Sequence, residues 1–188
     1  MKSVLISIQP KWCELIASGI KTVEVRKSKP KLETPFKAYI YQTKIQWVYS
    51  ALRKMGLNDL VNKLALGTGK VIGEFVCDKM FDIYEFSGSR FWLNETLVKA
   101  TCLTEKEIND YGKGKDVFGW HISNLVIYDK PKELGEFITP TDCNSKIAKD
   151  MLCNTCCLSA NFCSKKPKRI TRPPQSWSYV ESEADNGE

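Results

Sequence analysis

The sequence lacks any apolar run long enough to cross a membrane. A transmembrane helix needs roughly 18 consecutive apolar residues, and no run in this chain approaches that length. The apolar run near the N-terminus, residues 4–8, is soon interrupted by Pro10 and Lys11, so it is also too short for the core of a signal peptide. We therefore expect a cytoplasmic protein whose first strand is this short run.

The composition also lacks the extremes that mark disordered or fibrous chains, and the sequence has no internal repeat of fixed period. Of the 188 residues, 43% are hydrophobic and 27% are charged, which are ordinary values for a globular domain. The length fits one domain with a buried core. The formal net charge of +6 permits a polyanionic partner without requiring one.

Charge is unevenly distributed near the C-terminus. Residues 165–172 contain five cations and no acid, whereas residues 181–188 contain four acids and no cation. The acidic end is typical of a disordered tail, and the basic, proline-containing stretch either contacts phosphate groups or forms a solvated linker. We expect three parts: a domain over residues 1–140, a cysteine-rich basic extension over residues 141–180 that returns to the domain with a final strand, and the tail over residues 181–188.

Histidine is nearly absent, but cysteine is not. Three of the eight cysteines, Cys13, Cys77 and Cys102, are scattered and are typical of small buried apolar residues. The other five fall within 21 residues, and in a chain without a secretory signal such a cluster favours a metal over disulfides. Because two thiolates in a Cys-x-x-Cys spacing can bind one tetrahedral ion, the predicted cofactor is a structural zinc ion, with unligated thiols as the alternative. The predicted zinc ligands are Cys143, Cys153, Cys156 and Cys163.

Hydrophobic patterns predict short strands and few helices. The predicted strands are residues 4–8, 22–26, 37–41, 70–77, 118–128 and 176–180. The predicted helices follow Pro10, occupy residues 44–69 with a break at Gly56, and follow the capping box that begins at Thr104. Gly73, inside a predicted strand, indicates a bulge or a close backbone approach. Because strands and helices do not alternate, the pattern favours an α+β fold, a small mixed β-barrel with helices covering its ends.

One short segment concentrates charged side chains. The residues from Gly19 to Arg26 read Gly-Ile-Lys-Thr-Val-Glu-Val-Arg. Side chains alternate along a strand, so Glu24 and Arg26 share one face, and Lys21 lies at the corner that precedes it. If that face lines a cavity, the three side chains can hold an anion or the edge of a base. The alternative is an exposed ion pair between Glu24 and Arg26, which stabilises little.

This segment resembles the GxKxxExR signature of the ASCH (ASC-1 homology) family. Residues 7–10, 69–75 and 119–125 also resemble segments of that family. The resemblance implies a PUA-like β-barrel whose cleft binds RNA or nucleotides and is lined by Lys21, Glu24 and Arg26. Residues 172–177 are similar to C-terminal extensions of stand-alone bacterial and phage-associated members of the family.

A subset of small ASCH proteins consists of amidohydrolases that deacetylate N4-acetylcytidine with a lysine, a threonine three residues later and a distant glutamate. The resemblance places Lys21, Glu24 and Glu74 at these positions, so Glu24 replaces the nucleophilic threonine. A carboxylate beside Lys21 also favours the charged ammonium, whereas a general base must be neutral. The predicted function is therefore binding of RNA or a nucleotide, with an amidohydrolase of a modified nucleoside, using Lys21, Glu24 and Glu74, as the alternative.

Two further residues are candidates for ligand binding. Trp120 can stack on a base, and His121, the only histidine, can form hydrogen bonds or transfer a proton. In the alternative interpretation both are packing residues of a strand that is rich in apolar side chains.

Overall fold

A computed structural model describes residues 2–44, 50–51, 53–58, 68–87, 90–140 and 167–182. The four predicted zinc ligands, most of the predicted helix over residues 44–69 and nearly all of the acidic tail lie outside these residues, so those predictions remain predictions. Within the described part of residues 44–69, the predicted break at Gly56 is a turn in which this glycine has a φ of 76°.

The described chain forms eleven strands, three α-helices and one 3₁₀ helix. In chain order they are β1 (Ser3–Ile8), α1 (Pro10–Ala17), β2 (Val23–Arg26), β3 (Phe36–Gln42), β4 (Val71–Cys77), β5 (Met80–Asp82), β6 (Tyr84–Ser87), β7 (Arg90–Leu93), α2 (Glu95–Thr101), α3 (Glu105–Gly112), β8 (Phe118–His121), β9 (Ser123–Lys132), the 3₁₀ helix (Leu134–Glu136), β10 (Phe137–Ile138) and β11 (Trp177–Ser182). No helix of this part of the chain is long and apolar enough to span a membrane.

The strands form a mixed half-barrel, which confirms the predicted α+β class. A six-stranded sheet has the order β10-β11-β1-β3-β4-β9, a three-stranded sheet has the order β2-β8-β5, and β6 pairs with β7. Strands β1 and β3 run parallel, and the other pairs run antiparallel. The final strand returns to the start of the chain, because β11 pairs with β1.

Strand β1 is buried on both faces, which explains why it is mostly apolar. Val4 and Ile6 pack on one face in the cluster that contains Phe75 and Trp120. Leu5 packs on the other face with Tyr39, Phe137 and Val180. The polar exception near the end of the strand, Ser7, is buried with its hydroxyl, N–H and carbonyl all hydrogen-bonded.

The predicted strand over residues 118–128 is wrong in one respect, because the chain changes sheets at Ile122. Strand β8 pairs with β2 and β5, whereas β9 pairs with β4. The Ile122 N–H donates to Thr22 O at 2.9 Å, and Asn124 has a φ of 46°. Because residues on both sides of this corner favour strands, the sequence pattern predicts one continuous strand where the structure has two.

Two of the three scattered cysteines are core residues. Cys13 and Cys77 are buried, and burial raises the pKa of each thiol to about 12, because the thiolate loses its hydration. Cys102 is only partly buried and ends α2 in a left-handed conformation. The predicted apolar role is therefore confirmed for Cys13 and Cys77.

The predicted close backbone approach at Gly73 is confirmed. The pairing of β4 with β9 shifts register between Val71 and Gly73, and a Cβ atom on Gly73 would lie 2.4 Å from the carbonyl oxygen of Val126. Since backbone cannot move aside as an exposed side chain can, only glycine fits this position.

We expect the Gly73→Ala substitution to lower the free energy of unfolding by about 1–3 kcal/mol, the typical loss on overpacking. Urea unfolding measures this change. Gly135→Ala is the matched control, because a Cβ atom there meets nothing within 4 Å. If the two variants have the same free energy of unfolding, the claim that a Cβ atom at Gly73 clashes with the Val126 carbonyl is wrong.

Candidate functional site

The corner between α1 and β2 turns Lys21 into the protein. Helix α1 ends at Ala17, and Gly19 follows with a φ of 73°. The Lys21 N–H donates to Leu15 O at 2.9 Å, which fixes the backbone beside the helix. The Lys21 ammonium then donates to Val23 O at 2.9 Å and to Thr101 O at 2.6 Å.

The contact with Thr101 explains how a lysine is held inside the fold. Thr101 is the last residue of α2, and the final carbonyls of a helix lack partners in the helix and carry partial negative charge. The Lys21 ammonium supplies both a hydrogen-bond donor and a positive charge at this point. The helix end therefore stabilises the buried cation.

Glu24 lies between two cations. One of its carboxylate oxygens, Oε2, is 3.4 Å from Lys21 Nζ, and the other, Oε1, is 3.0 Å from Arg26 Nη2. Arg26 Nη2 also donates to Ser7 O at 2.6 Å. Lys21, Glu24 and Arg26 are only 2%, 5% and 8% exposed. The alternative of an exposed ion pair on β2 is therefore wrong, and we call these three residues the charged cluster.

The charged cluster forms part of the wall of a cavity of about 740 Å³, a volume typical of small-molecule sites. Four parts of the chain supply the other walls. They are the corner from β1 to α1 (Ser7, Ile8, Gln9, Trp12), the end of β3 and the residues after it (Tyr41, Thr43, Lys44), the region of α3 (Leu103, Glu107, Tyr111) and residues 173–176 before β11.

Two polar atoms of the charged cluster are buried without a hydrogen-bond partner among the described residues. They are Glu24 Oε2, an acceptor, and Arg26 Nε, a donor. An unsatisfied buried polar atom costs about 1–3 kcal/mol, and such atoms in a folded protein need an explanation. Glu24 Oε2 is compensated in part by its ion pair with Lys21. Both side chains line the cavity, so a ligand that carries a donor and an acceptor can satisfy the two atoms once these side chains shift toward it.

Trp120 does not line the cavity. It faces Glu24 in the register of β8 with β2, but its side chain is fully buried and contacts Phe36 and Trp177 with ring centroids 5.7 Å and 5.9 Å away. The base-stacking prediction for Trp120 is therefore corrected to core packing, because the ring has no free face on the cavity.

His121 is also outside the cavity lining. Its Nδ1 lies 2.6 Å from Asp78 Oδ1, and both side chains are about one-third exposed. The hydrogen bond from His121 holds the pKa of Asp78 below its usual range. The structure thus places His121 in a surface pair with Asp78, away from the charged cluster.

Glu74 does not join Lys21 at the cavity. Tyr128 donates a hydrogen bond to its Oε2, and Lys37 Nζ lies 3.2 Å from its Oε1. Glu74 is therefore held on the outer side of β4 rather than among the residues of the cavity wall. The structure therefore does not bring Glu74 together with Lys21, the pair proposed for catalysis.

Sequence reasoning missed several cavity residues. Trp12, Tyr41 and Tyr111 carry no sequence signal that marks them as site residues. Residues 173–176 were noted only for their similarity to C-terminal extensions of the family and for the start of the final predicted strand. They come from distant parts of the sequence, so only the tertiary fold shows that they meet.

Comparison with known proteins identifies the family. The model of the ASCH domain matches residues 6–110, which is more than half of the chain and includes the whole charged cluster. The chain belongs to the ASCH domain family, whose fold is PUA-like. No protein with a curated description matches the chain.

Two solved structures are similar to this chain. The crystal structure of the ASCH protein from Zymomonas mobilis is 19% identical, covering 98% of this chain and 91% of that one, with a TM-score of 0.49. A mutant of the same protein is also 19% identical, covering 99% and 95%, with a TM-score of 0.50. At this identity the likeness of the mutant supports the fold and no finer conclusion.

Removal of Lys21 tests the buried ion pairs. We expect Lys21→Met to lower the free energy of unfolding by about 3–5 kcal/mol, because Glu24 loses one of its two cations and two buried carbonyls lose their donor. Lys29→Met is the matched control, since Lys29 Nζ pairs with Asp82 at 2.8 Å on the surface and such pairs contribute at most about 1 kcal/mol. Urea unfolding of both variants gives the comparison, and similar losses would contradict the buried role of Lys21.

Proposed function

We propose that the cavity binds one unpaired nucleotide, either free or within an RNA strand. The observation that carries this proposal is that Glu24 and Arg26, two charged side chains that line the cavity, each retain one atom without a hydrogen-bond partner in the described part of the chain, Oε2 and Nε. A cavity of 740 Å³ lies within the range of about 300–1,000 Å³ that ligand sites of this kind occupy.

The charge of the cluster favours an orientation of the nucleotide. Glu24 places a carboxylate in the wall, and a phosphate group next to it would be repelled. A base with an exocyclic amine can instead donate to Glu24 Oε2, while a neighbouring ring atom accepts from Arg26 Nε. The base therefore faces the charged cluster, and the phosphate remains at the exposed Lys44.

The cation excess of the cavity wall supports a negatively charged ligand. The wall contains the cations Lys21, Arg26 and Lys44 and the carboxylates Glu24 and Glu107, and the carboxylate of Glu107 accepts hydrogen bonds from Thr104. Lys11 Nζ lies 4.3 Å from the ring centroid of Trp12, and Lys27 Nζ lies 4.7 Å from that of Tyr111. Since both aromatic rings line the cavity, these lysines lie beside it and attract phosphate.

Hydrolysis of a modified nucleoside is less well supported. The Lys21 ammonium donates hydrogen bonds to two backbone carbonyls and forms an ion pair with Glu24, an environment that suits a cationic donor better than a general base. Glu74 faces Tyr128 and Lys37. Release of cytidine from N4-acetylcytidine, abolished by Lys21→Ala, would establish the amidohydrolase in spite of this geometry.

The proposal predicts a ranking of ligands in calorimetric titrations with nucleoside 5′-monophosphates. AMP, CMP and GMP carry an exocyclic amine and UMP does not, so UMP should bind weakest. Glu24→Gln removes a charge-assisted hydrogen bond worth about 1.5–3 kcal/mol, so it should weaken the binding of the best ligand by about tenfold or more.

Glu74→Gln provides the matched control, because it makes the same chemical change at a carboxylate outside the cavity wall and should bind like the wild type. The proposal fails if no nucleotide binds, if UMP binds as tightly as the others, or if the two glutamine variants lose affinity equally. The wild-type ranking tests the proposal even if Glu24→Gln does not fold.

A further inference from the structure

The cavity has one wall that lies beyond the segment matched by the family model. Residues 173–176, Pro-Pro-Gln-Ser, line the cavity, whereas the match ends at residue 110. This wall reaches the cavity because β11 pairs with β1. It is therefore a part of the site that the family signature does not specify.

Ser7 fixes this wall on both sides of Gln175. The Ser7 N–H donates to Ser176 O at 2.9 Å, and the Ser7 hydroxyl donates to Pro174 O at 2.6 Å. The carbonyl of the same residue accepts from Arg26 Nη2 at 2.6 Å. One buried serine thus holds the wall and the guanidinium of the charged cluster in a fixed relation.

Gln175 is the residue of this wall whose side chain can form specific hydrogen bonds with a ligand. Its neighbours are anchored through their carbonyls, and the two preceding prolines restrict the backbone, so little entropy is lost when its position is used for binding. Its side chain is exposed and lines the cavity. A carboxamide offers a donor and an acceptor together.

We propose that Gln175 determines base specificity and that the preferred ligand is an adenine nucleotide; this rests on the proposed function. Adenine has a donor beside an acceptor on two edges, because its N6 amine lies between N1 and N7. One edge can pair with the carboxylate of Glu24 and the guanidinium of Arg26 once these side chains turn toward it, and the other with the amide of Gln175, the pairing that glutamine makes with adenine N6 and N7.

The other bases satisfy only part of this arrangement. Cytosine has an amine beside one ring acceptor, but its second edge carries only C–H. Guanine presents two acceptors on its N7 edge, and uracil lacks an amine. Gln175 therefore separates adenine from cytosine, which the charged cluster alone does not.

Calorimetric titration with AMP, CMP and 7-deaza-AMP, which lacks the N7 acceptor, tests the inference on the full chain. Wild type should bind AMP about tenfold more tightly than CMP or 7-deaza-AMP. Gln175→Ala should lower the AMP affinity to the level of 7-deaza-AMP, leave CMP within about twofold and bind AMP and 7-deaza-AMP alike. Gln175 is exposed, so the variant should fold, which circular dichroism checks.

The outcomes separate this inference from the proposed function. If wild type binds AMP and 7-deaza-AMP equally, or if Gln175→Ala weakens AMP and CMP by the same factor, the role of Gln175 is overturned while nucleotide binding stands. If wild type binds none of the three nucleotides, the proposed function fails and the inference fails with it.

Discussion

A carboxylate buried between an ammonium and a guanidinium is the constraint around which this site is arranged. Glu24 can remain charged inside the fold only because Lys21 and Arg26 lie on either side of it, since an unpaired buried charge is very unfavourable. Lys21 in turn depends on the C-terminal carbonyl of α2, and Arg26 on the carbonyl of Ser7. The cluster therefore joins α2, β1 and β2 into one unit.

The charged cluster does not satisfy all of its own hydrogen-bonding atoms. A closed salt bridge would satisfy all its polar atoms, but Glu24 Oε2 and Arg26 Nε have no hydrogen-bond partner among the described residues. Both side chains lie in the wall of the cavity. A ligand that supplies the missing partners would therefore gain hydrogen bonds that the protein does not make by itself.

Much of the fold follows from local sequence patterns, and the site follows only in part. The buried strand β1, the helix that begins at Pro10, the capping box at Thr104 and the close approach at Gly73 were all predictable, because each depends on neighbouring residues. For the charged cluster, the spacing left an exposed ion pair open, and only the resemblance to the ASCH family implied a cleft lined by its three residues. For Trp120 the sequence left base stacking and core packing open, because alternation along a strand gives the face of a residue and not its depth; the structure buries it in the core.

The remaining cavity walls depend on the tertiary fold, since residues 173–176 reach Ser7 only through pairing of the last strand with the first. The central claim is that Arg26 Nε, which has no hydrogen-bond partner among the described residues, donates a hydrogen bond to a ligand bound in the cavity. Nuclear magnetic resonance of the arginine Nε–H groups, with Arg26 assigned through Arg26→Lys, tests it most directly. During titration with AMP, the account predicts that the Arg26 resonance shifts and saturates with the calorimetric Kd. An unchanged Arg26 resonance at saturating AMP would contradict it.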